Sequence, residues 1–153
     1  MAKILVADDM VVMRSFIKTI LIKEGHTIAG EAGDGEEAYE QYKKILPDLV
    51  TMDLTMPKLN GIESSEKIIN EFPDAKIIIV SALEQKNVIL EAFKAGVKNY
   101  VLKPIKRDNL IKIVNVRSMV TRIIKLSFLL SSLTIKPKME NITSKIGIKK
   151  HDN

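Results

Sequence analysis

Five groups capable of chemistry stand at the ends of apolar runs: Asp8 and Asp9 after "KILVA", Asp53 at the close of "LVTMD", Ser81 after "KIIIV", and Lys103 after "NYVL". An ionised carboxylate is costly to bury alone, so Asp53 is exposed at a tip, paired with cations or used in chemistry. A single strand-end aspartate is ordinarily a solvated turn or a helix cap, and Asp8-Asp9 read alone is an N-cap pair. Three carboxylates, an ammonium and a hydroxyl at matching ends are hard to attribute to capping.

The elements that must position these groups follow a βα rhythm. The runs at residues 3–7, 27–31, 49–53, 76–80 and 99–102 are β-branched or aliphatic. Between them lie segments with helical spacing, such as Met13, Phe16, Ile17, Ile20 and Leu21, or Val88, Ile89, Ala92 and Phe93. Gly25 and Gly96 follow two of these segments as C-terminal caps. Runs that are apolar throughout predict strands covered on both faces. The expected fold class is α/β, a (βα)5 three-layer sandwich whose parallel sheet has the flavodoxin-like order 2-1-3-4-5. In such sheets ligands bind beyond the C-terminal strand ends, where the five groups lie.

Composition bounds the alternatives. The 153 residues suit one domain with a short appendage. There are no cysteines, which excludes disulfides, thiolate metal sites and a Cys nucleophile. No signal peptide or transmembrane segment is read, and the expected location is cytoplasmic. No Gly-rich phosphate loop is present, and His26 and His151 read as surface or turn residues. Charge is divided unevenly, about −3 over residues 1–103 and +8 over 104–153, so the basic excess belongs to the C-terminal third.

The motifs "ADDMVVMR", "VTMDLTMPKLNGIE", "IIVSA" and "NYVLKPI", in this order, resemble CheY-type response-regulator receiver domains over residues 2 to about 120. CheY is itself a standard instance of the 2-1-3-4-5 order, so that expectation and the resemblance are not independent. The resemblance implies a receiver at 1–121; beyond it, residues 122–153 read as a basic extension, partly helical and then disordered. It implies that Asp53 is the phosphoacceptor, that Asp9, Asp53 and the backbone carbonyl of Thr55 ligate Mg2+, and that Asp8 acts through a metal-bound water. Lys103 would bind the phosphoryl oxygens, with a cis bond before Pro104. Ser81 would donate its hydroxyl to the new group, and Tyr100 would be the aromatic switch on strand 5. Pro57 restricts the turn after Asp53, and Asn60-Gly61 supply positive φ before the next helix.

The implied partners are a histidine kinase as phosphodonor and a protein target on the face of helix 4, strand 5 and helix 5, a flagellar motor switch if the protein is chemotactic, with a possible phosphatase. The chain would be no enzyme beyond its own phosphorylation and dephosphorylation, and a monomer or weak dimer. A stand-alone chemotaxis switch is the leading expectation; alternatives are a phosphorelay intermediate and the receiver part of a transcriptional regulator. Helix 5 is expected from about Arg107 to about Met119, leaving too short a tail for an unaided DNA-binding domain. A haloacid-type phosphatase would need DxD after strand 1, where this chain has adjacent Asp8-Asp9. Residues 120–135 are expected to fold back or self-associate, and 138–153 to be disordered.

Overall fold

The computed structural model describes residues 1–135, and the disorder expected at 138–153 falls outside them. Strands and helices alternate: β1 Lys3–Ala7, α1 Val11–Lys23, β2 Thr27–Ala32, α2 Gly35–Ile45, β3 Leu49–Asp53, α3 Gly61–Glu71, β4 Ile77–Ser81, α4 Lys86–Lys94, β5 Asn99–Leu102 and α5 Arg107–Ile135. All pairings are parallel, in the order β2-β1-β3-β4-β5. The chain divides into a unit Met1–Ser118 and a second unit beginning at Met119.

The three layers follow from the two-residue period of a strand. Leu5, Val50, Met52, Ile77 and Ile79 pack on one face with Ala38, Tyr42, Ile62, Ile68 and Ala92 of α2, α3 and α4. Their neighbours Ile4, Val6, Leu49, Ile78 and Val80 pack on the other with Ile17 and Leu21 of α1 and Leu110 and Val114 of α5. Every residue of β3 and β4 is buried, which is why neither shows the apolar–polar alternation of a half-solvated strand. Truncating a fully buried residue such as Ile78 to Ala costs about 2–5 kcal/mol, so the central strands hold the site's floor rigidly.

Several expectations need correction. β4 begins one residue later than read, so Ser81 is its last residue. The helical spacing read for α1 and α4 holds, with burial on Ile17, Ile20, Leu21 and Ala92 while Phe16 and Phe93 stay exposed. His26 is buried, not a surface residue: its Nδ1 accepts from the Ala2 N–H at 3.2 Å and its Nε2 lies 3.0 Å from Asn115 Oδ1. The helix expected to end near Met119 runs to Ile135, because no Gly or Pro interrupts residues 107–135. Gly25 and Gly96 do close their helices with φ of 82° and 96°.

Candidate phosphoacceptor site

The strand ends converge as topology requires. β1 stops at Ala7 and releases Asp8 and Asp9; Asp8 Oδ1 accepts from the Met10 N–H at 2.9 Å, turning the chain into α1. Asp8 is therefore the residue that orders the helix entry, while the N-cap Met10 makes no side-chain capping bond. The carbonyl of Asp8 accepts from Arg14 Nη1 at 2.6 Å, and Arg14 is tied in turn to Glu31 on β2. Arg14 lies inside "ADDMVVMR", but its part in holding the acidic pair was not legible, because the contact is to backbone.

Asp8 and Asp53 are almost fully buried, whereas Asp9 is exposed. Lys103, delivered by the end of β5, places Nζ 3.0 Å from Asp8 Oδ2 and 3.3 Å from Asp53 Oδ1. The Lys103–Pro104 peptide bond is cis. The Lys103 N–H donates to the Ser81 carbonyl at 2.8 Å, joining the ends of β4 and β5. Burial raises the Asp53 carboxyl above the ordinary aspartate range, and the charge of Asp8 adds to it, with Lys103 offsetting only part. Burial alone would lower the Lys103 ammonium, yet the Asp8 hydrogen bond and the charges of Asp53 and Asp8 outweigh it and hold its pKa above the usual lysine value.

Carboxylate oxygens of Asp8, Asp9 and Asp53 lie within 4.8 Å of one another. Three carboxylates and one ammonium leave an excess of two negative charges in a partly desolvated pocket, and every donor is a hard oxygen. That set fits a hard divalent cation that keeps several of its waters.

Ser81 is buried, and its Oγ accepts from the Leu83 N–H at 3.1 Å, a contact that does not use its own proton. Tyr100 packs half-buried on the core, and its O–H donates to the Leu83 carbonyl at 2.6 Å. Both side chains thus end on the backbone of one residue. Thr55 is exposed on the loop two positions past Asp53.

The expectation of positive φ at Asn60-Gly61 is overturned. The left-handed residue of this loop is Lys58, at φ 65°, paired with Asp34 at 2.9 Å. Asn60 sits at φ −70° as the N-cap of α3, and its side chain and Glu63 form a capping box. Gly61 is demanded by space: a Cβ there would lie 2.2 Å from the Asp53 carbonyl oxygen. Gly35 is its counterpart across the loop, with a Cβ position 2.0 Å from the Leu59 carbonyl, and the Pro57 carbonyl accepts from its N–H at 3.4 Å. Asn60-x-x-Glu63 was a readable capping signal; Gly35 had no local one.

The family model described as "response regulator receiver domain" matches residues 4–115. The chain belongs to the response-regulator receiver family. It is similar to the chemotaxis protein CheY of Thermotoga maritima, 43% identical over 113 residues, covering 74% of this chain and 94% of the relative. Similarity to the chemotaxis protein CheY of Bacillus subtilis is 41% over 113 residues, with the same coverage of 74% and 94%. Among solved structures, the CheX–CheY–BeF3–Mg2+ complex from Borrelia burgdorferi matches with TM-score 0.72 and 32% identity over 78% of this chain and 87% of that one. The receiver is thus CheY-like and part of a two-component system. Among the described residues no helix is long and apolar enough to cross a membrane.

Proposed function

We propose that this receiver is a Mg2+-dependent phosphoacceptor that takes a phosphoryl group from a histidine kinase onto Asp53 and signals by protein contact in the cytoplasm, in chemotaxis. The observation that supports it is the Lys103 ammonium bonded to both Asp8 and Asp53 beside a third carboxylate, Asp9. An Asp53 oxygen attacks the donor's phosphorus, forming the new O–P bond as the P–N bond of phosphohistidine, or the P–O bond of acetyl phosphate, breaks in line. Lys103 exchanges part of its contact with Asp53 for the phosphoryl oxygens, as a compact ammonium does well. Asp9, Asp53 and the Thr55 carbonyl would hold Mg2+, with Asp8 acting through a water, and the ion would supply charge neutralisation for the incoming group. The Borrelia burgdorferi neighbour contains Mg2+.

The Ser81 hydroxyl, whose proton is not used by Leu83, donates to the phosphoryl group. Because Ser81 Oγ also holds the Leu83 N–H, its movement is felt by the residue that anchors Tyr100. Tyr100 then reports the change on the α4–β5–α5 face, where Leu90, Phe93 and Leu102 are exposed apolar residues suited to a protein target. Similarity to the two chemotaxis relatives favours chemotaxis. The chain performs no other catalysis in this reading.

Incubation with acetyl phosphate and Mg2+, followed by intact and peptide mass spectrometry, tests it. One phosphoryl group on Asp53 is expected, abolished by EDTA and by Asp53→Asn. Undiminished incorporation in Asp53→Asn, at any other residue, would refute the assignment.

A further inference from the structure

Along α5 apolar residues recur at alternating spacings of three and four: Val116, Met119, Ile123, Leu126, Leu130 and, in the sequence, Leu133. That is the a/d seam of a heptad repeat, with Val116, Ile123 and Leu130 at a and Met119, Leu126 and Leu133 at d. Met119, Ile123 and Leu126 are 60%, 62% and 62% exposed, and Val116 and Leu130 are exposed as well. The residues of the same helix that enter the core of the first unit, Leu110 and Val114, lie outside this seam. Nothing in the phosphoacceptor chemistry uses these side chains.

We infer that this seam pairs with the same seam of a second copy of this chain, as a parallel, in-register two-stranded coiled coil. Predominantly β-branched a positions with predominantly Leu d positions favour two strands. Each such side chain carries about 100 Å² of apolar surface to bury, so five per chain cover about 1,000 Å² in a pair, the size at which specific interfaces begin. The flanking positions do not oppose it: in the sequence e is Val120 and Ser127 and g is Arg122 and Leu129, so Arg122 meets Ser127 across a parallel pair. No like charges face each other.

The parallel pairing places each d residue opposite its own copy, and the absence of native cysteines makes that testable in the full chain. Sedimentation equilibrium of the wild-type protein should show a concentration-dependent dimer. Ile123→Asp with Leu126→Asp should be monomeric with an unchanged circular dichroism spectrum below residue-specific detail, and Ile124→Asp should remain dimeric. On mild oxidation Leu126→Cys should form a covalent dimer in high yield, and Ile124→Cys should not. A monomer at all concentrations, equal crosslinking of the two cysteine variants, or dimerisation that survives Ile123→Asp with Leu126→Asp would overturn the inference. So would a chain that is monomeric alone and retained by phosphatidylglycerol vesicles.

Discussion

Gly61→Ala separates two reasons for a glycine after Asp53. Were backbone freedom the reason, positive φ would be found there; the constraint is instead the 2.2 Å between a new Cβ and the Asp53 carbonyl oxygen, with Leu54 Cα at 2.8 Å. Ordinary contact begins near 3.4 Å, so the backbone must part by more than 1 Å, and both obstacles are backbone atoms that cannot rotate away. Overpacking of this kind costs about 1–3 kcal/mol. Weakening the Gly61 N–H bond to the Leu54 carbonyl, 2.8 Å long, adds about 1 kcal/mol. Against this, Ala gains up to about 1 kcal/mol of helix propensity. The net expectation is a loss of about 2 kcal/mol, or about 8 °C in Tm for a domain of this size. Gly33→Ala is the control, since its Cβ would make only ordinary contacts at 3.6 and 3.7 Å. Thermal unfolding followed by circular dichroism measures both variants under identical salt and metal. Gly61→Ala melting within about 2 °C of Gly33→Ala would refute the close-approach account, since surface substitutions alone scatter by about 0.5 kcal/mol.

Asp34 caps α2 through the Glu37 N–H at 2.8 Å, and that bond, followed by the Lys58 contact, lowers its carboxyl below the ordinary value. A lowered folded-state pKa gives stability that is present above the unfolded pKa and lost as pH falls through the folded one. Asp34→Ala should therefore cost about 1 kcal/mol at pH 7 in urea unfolding, and the gap to wild type should narrow steadily below about pH 4. A gap constant from pH 7 to pH 3 would sink that account. The receiver resemblance implies that the residues two positions beyond Asp53 and Ser81 flank the water that attacks the phosphoryl group; here these are Thr55 and Leu83, which offer no carboxylate or amide to orient it, so phosphorylated protein should lose its phosphoryl group slowly and Leu83→Glu or Thr55→Asn should shorten its lifetime; equal decay rates in radiolabel chase would remove these positions from the account.

The fold was legible because its strands are covered on both faces: β3 and β4 have no solvent side, so their residues carry no alternation to misread. Helix faces were less so. The spacing of Phe16 with Ile17 and Ile20 is helical whichever side meets the sheet, and Phe16 stays on the solvent side. His26 escaped because its partners, Ala2 and Asn115, lie 24 and 89 residues away, so its burial is a property of three segments meeting. Gly35 escaped for the same reason, since the Leu59 atoms that crowd it belong to a loop arriving from elsewhere, whereas Gly61 is crowded by the start of its own loop, Asp53 and Leu54, an approach no residue type announces. The acidic and basic members of the site were readable because parallel topology itself gathers strand ends; the Leu83 backbone contacts were not, because no residue type marks a carbonyl or an N–H as a junction.

That junction decides which substitutions at position 83 the site can absorb. The bonds from Ser81 and Tyr100 terminate on the main chain of Leu83, which every amino acid but proline can supply. The side chain at position 83 packs half-buried on the core and makes neither bond, so a substitution there that preserves the packing leaves both connections available. Leu83→Pro, which deletes the N–H, is the substitution this arrangement forbids.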